Sequence, residues 1–191
     1  MDQARFTVLM ICSGNLCRSP IAEQLLRTRT IGYPLRVCSA GVIAEEGAAM
    51  PKEAAAVSRM YGGEPDGHRA QLLTEGHLRS ADLVLTAARS HRRSVVQILP
   101  SMSRRTFTIN EFARLIAAVP LSELSRPSDP ARLVEAARAL RGFVPPPENE
   151  YDDDLEDPYR QPFEVYEMVG SRIQQQIGVI AERLWPWRAP R

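Results

Sequence analysis

Residues 8–23, VLMICSGNLCRSPIAE, join an apolar segment to a helix pattern through one short loop. The apolar run that ends at Cys12 is typical of a fully buried strand. Ser19 and Pro20 predict a helix start, because serine is a favoured N-cap and proline is tolerated at the first helical position. The stretch therefore predicts a strand, a tight turn and a helix in direct succession.

The turn has the features of an anion-binding loop. We expect Gly14 to allow unusual backbone dihedral angles and Asn15 to tolerate a left-handed conformation, so that successive N–H groups point inward. The helix that follows presents free N–H groups and the positive end of its dipole. Arg18 adds a planar fork that can hold two phosphate oxygens. The predicted phosphate-binding residues are Ser13, Gly14, Asn15, Leu16, Cys17 and Arg18.

Cys12 is predicted to lie at the base of this loop. Thiolates are favoured beside a helix N-terminus and an arginine, and a thiolate that faces phosphorus is a nucleophile for phosphoryl transfer. A cysteine six positions before an arginine occurs by chance in many proteins, but the preceding strand and the helix start make this pattern specific. The loop lacks both G-x-G-x-x-G and the Gly-Lys-Ser/Thr ending of nucleotide-binding loops.

The remaining pattern predicts an α/β fold. Four apolar runs predict short strands, at 5–12, 35–40, 81–87 and 105–110. Helical patterns lie between them, at 19–31, 50–62 and 89–99. The alternation predicts three layers, with a central four-stranded parallel sheet, helices on both faces and the phosphate-binding loop after the first strand. A final helix ended by Pro186 is predicted from apolar residues every three or four positions: Phe163, Tyr166, Val169, Ile173, Ile177, Ile180 and Leu184.

A length of 191 residues predicts a single domain over 1–191, with a Pro-rich, partly helical insertion at about 113–150. Six prolines flank the helical pattern PARLVEAARALRGF, and seven of the ten residues in ENEYDDDLED (148–157) are acidic. Two interpretations are open for this segment. It is either a solvated surface insertion or a cap or partner-docking element beside the site.

Composition narrows the class of protein. The net charge of +1 gives no reason to expect nucleic acid or an anionic membrane as partner. The N-terminus lacks the basic and apolar regions of a signal peptide, and no apolar segment approaches the ~18–20 residues of a membrane span. Three cysteines form no disulfide framework, which predicts a cytoplasmic location. Three histidines without metal-site spacing predict no metal, and we expect no cofactor.

The opening stretch strongly resembles the signature of low-molecular-weight protein tyrosine phosphatases. Similarity continues through CSAGV (38–42), GHRAQLL (67–73), ADLVLTAARSH (81–91) and DPYRQPFEVYEMV (157–169), and leaves out 113–150. The DPYR motif and the long final helix look like bacterial members. The resemblance implies metal-independent hydrolysis of phosphomonoesters, most of all protein phosphotyrosine, through a cysteinyl-phosphate intermediate.

The resemblance also implies roles for individual residues. Cys12 would be the nucleophile, Arg18 would hold the phosphate, and Asp157 of DPY would be the general acid. A leaving phenolate needs a proton donor and the thiophosphate needs a base to activate water, and one carboxyl group can do both in turn. Within the acidic run, Asp154 and Glu156 remain alternatives to Asp157.

Supporting residues follow from the same resemblance. Four residues match positions that form a hydrogen-bond network beneath the loop: Asn15, Ser19, Ser39 and His68. Tyr159 would form one wall of the substrate pocket. His77 and His91 are interpreted as histidines without a functional role, and Cys38 as a core residue.

The other pocket wall departs from the family. Residues 42–50 contain no aromatic side chain, whereas many members carry one there, and Glu45 and Glu46 add negative charge. This predicts better activity on small aryl phosphates than on acidic phosphopeptides. Cys17 has two interpretations: a partner in a reversible disulfide with Cys12, as family members form, or a small buried residue at the helix start.

Three other functions are alternatives to a protein phosphatase. The loop also resembles that of thioredoxin-linked arsenate reductases, but no cysteine follows Cys38 to form their relay. A phosphatase of small metabolites such as sugar phosphates is a further alternative. A phosphate-binding module without catalysis would need neither Cys12 nor Asp157. The expected partner is a phosphotyrosine protein, for instance a bacterial tyrosine kinase, or a small aryl or sugar phosphate.

Overall fold

Four parallel strands form one sheet in the computed structural model of the chain, which describes residues 6–120 and 129–184. The strands are β1 (Phe6–Cys12), β2 (Leu35–Gly41), β3 (Leu83–Thr86) and β4 (Thr106–Thr108). Their order across the sheet is β2-β1-β3-β4, and β1 is paired along its whole length with β2. Because β1 is central, the loop that follows Cys12 opens at the carboxyl edge of the sheet, where open α/β sheets bind ligands.

Seven α-helices connect and cover the described strands. They are α1 (Arg18–Arg29), α2 (Lys52–Met60), α3 (Glu75–Ser80), α4 (Arg89–Ile98), α5 (Ile109–Ala117), α6 (Pro130–Leu140) and α7 (Phe163–Leu184). In the described part of the chain, two short 3₁₀ helices lie at Pro100–Arg105 and Glu150–Asp153. Within the described ranges, no helix has the length and apolarity that crossing a membrane requires.

Alternate residues of β1 supply the two halves of the core. Val8 and Met10 belong to a large apolar cluster with residues of α1, α2, α5, α6 and α7. Leu9 and Ile11 belong to a smaller cluster on the opposite face, with residues of α3 and α4. Burial on both faces explains why the strand reads as one continuous apolar run. The predicted three-layer α/β fold is confirmed.

The sequence pattern does not predict two of the helices, α3 and α5. The helix α3 has six residues, too few to show a helical period. The predicted strand 105–110 is wrong at its end, since β4 stops at Thr108 and α5 begins at Ile109. There Thr108 accepts a hydrogen bond from the amide of Glu111, whose carboxylate accepts one from the Thr108 amide. This capping box is visible in the sequence as Thr-x-x-Glu.

The final helix was predicted from its apolar period. Its buried residues include six of the seven predicted ones, but Phe163 is 38% exposed and does not belong to the core. Phe163 is the first residue of the helix, where α7 has only begun to pack. Pro186, the predicted end, lies outside the described residues.

The described parts of the segment at 113–150 contribute buried residues. Its first residues complete α5, and residues 121–128 lie outside the described part. In α6, Leu133, Val134 and Ala137 are buried. The acidic run that follows is ion-paired: Asp153 contacts Arg114, while Glu150 and Asp154 contact Arg89. These contacts attach the segment to the helices beside the sheet.

Candidate active site

The loop after β1 keeps Cys12 buried at its base. The Cys12 side chain is 2% exposed, and its Sγ atom is 3.0 Å from Oγ of Ser19. The loop backbone is fastened to the segment after β2, because the amides of Val42 and Ile43 donate to the carbonyls of Cys12 and Ser13, each at 3.0 Å. Cys12 and the loop are therefore held in place by the end of the sheet.

The tight turn depends on Asn15 and Gly41. Asn15 has φ +54°, the predicted left-handed conformation, whereas Gly14 does not have a positive φ. Gly41 is the glycine that close packing requires. A Cβ atom there would lie 2.5 Å from the Ser13 carbonyl oxygen and 2.7 Å from the Asn15 nitrogen. Any side chain at Gly41 would therefore push against the loop backbone.

The prediction of Ser19 as the N-cap of the first helix is wrong by two residues. The helix α1 begins at Arg18 and its N-cap is Cys17, which makes no side-chain capping hydrogen bond. Ser19 lies inside the first turn, because its hydroxyl is directed to Cys12 and Asn15 rather than to a helix amide. Pro20 is still tolerated, since the first four helical N–H groups lack intrahelical partners.

The four predicted network residues meet beneath the loop. The Asn15 amide nitrogen donates to Oγ of Ser19 at 2.9 Å and to Oγ of Ser39 at 2.8 Å. Its amide oxygen accepts from the Gln71 backbone at 2.9 Å. The Nε2 atom of His68 is 2.7 Å from the Asn15 carbonyl oxygen. Every polar group of the Asn15 side chain is thus occupied, which fixes the left-handed residue.

Glu23 extends this network and was not predicted. Its carboxylate accepts a hydrogen bond from the Ser39 hydroxyl at 2.5 Å and forms an ion pair with Arg27. Glu23 is buried in α1, one turn beyond Ser19. A glutamate four positions after the serine on the same helix face was the available signal.

Arg18 connects the loop to the segment before α7. Its Nη1 atom donates to the Leu155 carbonyl at 3.1 Å, and Nη2 donates to Oγ of Ser13 at 3.3 Å. Nη2 also forms an ion pair with the Asp157 carboxylate. The Arg18 side chain is 6% exposed and that of Asp157 is 50% exposed. Among the acidic residues of the run, Asp157 is thus the one in contact with the loop arginine.

Asp154 and Glu156, the two alternatives to Asp157, lie in other surroundings. Asp154 accepts a hydrogen bond from the Arg89 amide at 2.7 Å, so it serves the start of α4. Glu156 is exposed. Asp157 is oriented by a second contact, because its carboxylate accepts from the Tyr159 amide at 3.2 Å, and Pro158 between them is buried.

Tyr159, the predicted wall of the substrate pocket, follows the Asp157 turn. Its ring is 42% exposed, and the Arg160 guanidinium lies 5.1 Å from the ring centroid. Arg160 itself has φ +63°, and its amide donates to the hydroxyl of Tyr166 at 3.2 Å. The buried Tyr166 thereby holds the turn that presents Tyr159. On the loop after β2, Ile43 is 75% exposed.

Cys17 is a free, buried thiol that contacts Tyr166. Burial raises the pKa of Cys17 to about 12, and the neighbouring charges of Cys12 and Asp157 add to this effect. Arg18 and the Tyr166 hydroxyl oppose it. Cys38 is half-buried in β2, and burial raises the pKa of its thiol as well.

His91 belongs to the site, contrary to its sequence interpretation. Its Nε2 atom is 2.9 Å from Oγ of Ser13, although 78 residues separate them. Burial and the charge of Arg18 lower the pKa of His91 to about 4. His77 lies elsewhere, and its ring and amide complete the capping box of α3 with Thr74. No local pattern distinguishes the two histidines.

Comparison with known proteins identifies this arrangement. The family model for low molecular weight phosphotyrosine protein phosphatases matches residues 7–129. The chain belongs to this family. It is therefore a cysteine-dependent phosphatase, and the predicted resemblance is confirmed.

Relatives of the phosphatase differ in the substrate that their names state. The chain is 27% identical over 179 residues to a protein-arginine-phosphatase of Geobacillus stearothermophilus, covering 94% of this chain and 96% of the relative. It is 35% identical over 113 residues to the low molecular weight protein-tyrosine-phosphatase Etp of Escherichia coli, covering 59% and 75%. The solved low molecular weight protein tyrosine phosphatase of T. tengcongensis superposes with a TM-score of 0.68 at 32% identity, covering 93% and 98%.

Proposed function

We propose that this phosphatase hydrolyses phosphotyrosine in proteins, with Cys12 as nucleophile, Arg18 as phosphate ligand and Asp157 as general acid and base. One observation carries the proposal. The guanidinium of Arg18, which belongs to the loop around Cys12, contacts the carboxylate of Asp157. Nucleophile, phosphate ligand and proton donor thus meet at one loop, although 139 residues separate Arg18 from Asp157.

In the first step, the Cys12 thiolate attacks phosphorus and forms an S–P bond. The P–O bond to the leaving group breaks, and the Asp157 carboxyl group supplies the proton that the leaving oxygen takes. Arg18 and the N–H groups of residues 13–18 bind the phosphoryl oxygens as charge develops on them. The phosphate oxygens compete with Asp157 for Nη2 of Arg18, which releases the carboxyl group toward the leaving oxygen.

In the second step, water attacks the cysteinyl-phosphate. The Asp157 carboxylate takes a proton from the water, the S–P bond breaks, and the electron pair returns to Sγ of Cys12. Ser19 lies 3.0 Å from that sulfur and its hydroxyl can donate to the departing thiolate. Inorganic phosphate and the original enzyme result.

The pocket mouth favours an aromatic phosphate. The exposed ring of Tyr159 follows the Asp157 turn, and the exposed Ile43 follows the backbone contact to Ser13. Apolar side chains on two sides suit an aryl ring. The missing aromatic residue at 42–50 is compensated only by an aliphatic side chain, so we expect small aryl phosphates to be hydrolysed better than acidic phosphopeptides.

Phosphoarginine is the second candidate substrate. The similarity to an arginine phosphatase extends over nearly the whole chain. Glu45 and Glu46 are exposed within four residues of Ile43, and carboxylates at the mouth would attract a guanidinium group. A phosphotyrosine protein such as a bacterial tyrosine kinase remains the partner that we propose, in a cytoplasmic setting.

The mechanism is tested with phenyl phosphate and three variants. We expect no turnover by Cys12→Ser, and a loss of about 10²–10⁴-fold in kcat for Asp157→Asn, the usual contribution of general acid–base catalysis. Glu156→Gln is the matched control, one residue away and exposed, and should stay within about twofold. A chelator should have no effect. Full activity of Cys12→Ser would refute the mechanism.

The substrate class is tested with one peptide sequence carrying either phosphotyrosine or phosphoarginine at the same position. We expect the larger kcat/KM for phosphotyrosine. A larger value for phosphoarginine would establish the second candidate. Equal or better turnover of sugar phosphates would indicate a metabolic phosphatase, and thiol-dependent reduction of arsenate would indicate the reductase class.

A further inference from the structure

His91 lies in the first turn of α4 and is buried against the phosphate-binding loop. Its Nε2 atom contacts Oγ of Ser13, as described above. Its Nδ1 atom is also buried and has no hydrogen-bond partner within residues 6–120 and 129–184. A buried polar atom without a partner destabilises a fold, and each such atom requires an explanation.

The third member of the group favours one direction for the hydrogen bond between Ser13 and His91. Ser13 Oγ lies 3.3 Å from Nη2 of Arg18, and a guanidinium group can only donate. Ser13 therefore accepts from Arg18, and its own proton is available for Nε2 of His91. A neutral imidazole that accepts at Nε2 carries its proton at Nδ1. Arg18 then donates to Ser13, and Ser13 donates to His91.

The surrounding charges favour the neutral ring. Burial and the charge of Arg18 lower the pKa of His91, while Asp157 and Asp154 act in the opposite direction. At neutral pH Arg18 is therefore the cation of this group and His91 is uncharged. An uncharged acceptor leaves the positive charge at the guanidinium, where a phosphate would bind.

We propose that His91 is a positioning residue for the phosphate-binding guanidinium. By accepting a hydrogen bond from the Ser13 hydroxyl, it turns a lone pair of Ser13 toward Nη2 of Arg18. The guanidinium is then held by Ser13 on one side and by the Leu155 carbonyl on the other. This fixes the plane of the guanidinium for bidentate binding. The inference rests on the proposed function, because it assigns phosphate binding to Arg18.

Two variants separate the hydrogen bond from packing. His91→Met fills the space but cannot accept from Ser13, and we expect kcat/KM for phenyl phosphate to fall about tenfold, the upper end for the loss of one hydrogen bond between neutral groups. The inhibition constant of orthovanadate should rise by a similar factor, since Arg18 binds it too. His91→Gln places an amide near the Nε2 position and should restore activity to within about threefold of wild type.

A double-mutant cycle with Ser13→Ala tests whether His91 acts through Ser13. We expect the His91→Met, Ser13→Ala double variant to be no slower than Ser13→Ala alone, because the intermediate link is already lost. Multiplying effects would overturn the proposal, since they would show that His91 acts independently of Ser13. Failure of His91→Gln to restore activity in a folded protein would also overturn it.

The tautomer of His91 provides a readout without turnover. Long-range ¹H–¹⁵N spectra of the wild type at neutral pH should show the proton on Nδ1, and a proton on Nε2 would overturn the proposal. This measurement still applies if His91→Met does not fold. If Cys12→Ser retains full activity, the proposed function fails, whereas the tautomer still reports on the Arg18, Ser13 and His91 group.

Discussion

The Sγ atom of Cys12 lies 3.0 Å from Oγ of Ser19, and the same hydroxyl oxygen accepts a hydrogen bond from the side chain of Asn15. Because Asn15 donates to that oxygen, the hydroxyl proton of Ser19 is available to the sulfur. A donor at this place stabilises a thiolate, and most of all a thiolate that forms as the S–P bond breaks.

Ser19→Ala is therefore expected to slow breakdown of the cysteinyl-phosphate about tenfold to a hundredfold, while its formation changes less. Rapid-quench measurements with p-nitrophenyl phosphate should show a burst of p-nitrophenol followed by slow turnover. Ser94→Ala, at a serine on α4 whose hydroxyl donates to the Ser90 carbonyl, is the control and should behave as wild type. Equal slowing of both steps, without a burst, would contradict this role of Ser19.

The environment of Cys17 predicts a low reactivity. With a pKa of about 12, only about 10⁻⁵ of this thiol is thiolate at pH 7. We expect iodoacetamide to alkylate Cys12 and to leave Cys17 unmodified in the folded protein, as measured by peptide mass mapping. In urea, Cys17 should react as an ordinary cysteine.

This environment favours the structural interpretation of Cys17 over the disulfide. A resolving cysteine must attack as thiolate, and burial together with the charge of Asp157 opposes that form. Alkylation of Cys17 in the folded protein at the rate of a free cysteine would reverse this conclusion.

The lowered pKa of His91 predicts a loss of stability in acid. An unfolded chain binds a proton on this ring below about pH 6.5, whereas the folded chain does so only near pH 4. Between these values the unfolded state binds more protons, so stability falls as the pH falls. Burial and the charge of Arg18 lower the pKa of His91, and Asp157 and Asp154 oppose them.

Urea unfolding at pH 7 and pH 4.5 measures this contribution. Between the two values, wild type should lose about 2–3 kcal/mol more unfolding free energy than His91→Gln. His77→Gln is the matched control, since glutamine also completes a capping box, and it should follow the wild type. An equal loss in wild type and His91→Gln would show that His91 titrates alike in both states.

Local sequence was sufficient for the strands, the loop and the long helices. The apolar run before Cys12 and the Asn15 turn are determined by neighbours in the chain, so their patterns were readable. His91, Gly41 and the Leu155 carbonyl act on the loop from distant parts of the chain, and only the sheet order brings them there. The prediction of Ser19 as N-cap failed for a local reason, because its hydroxyl contacts Cys12 and Asn15 instead of a helix amide.

Arg141 attaches the insertion to the sheet. Its Nε atom donates to Glu111 at 2.8 Å, its Nη2 atom donates to the Thr106 carbonyl at 3.0 Å, and its guanidinium lies 4.2 Å from the ring centroid of Phe107. The Glu111 side chain is only 10% exposed, so removing the arginine leaves a poorly solvated carboxylate. These contacts support our proposal that 113–150 folds with the rest of the chain as one domain.

Arg141→Met is therefore expected to destabilise the whole protein by about 2 kcal/mol, a value reduced for the partial exposure of the arginine. The expected fall in Tm is about 5 °C for a chain of this size. Arg138→Met is the matched control on α6, because its ion pair with Glu135 is exposed, and it should change stability by less than about 0.5 kcal/mol. Hydrogen exchange should accelerate in α6 and in α5 together. Acceleration in α6 alone, with an unchanged Tm, would show that the insertion unfolds independently and would refute the single domain.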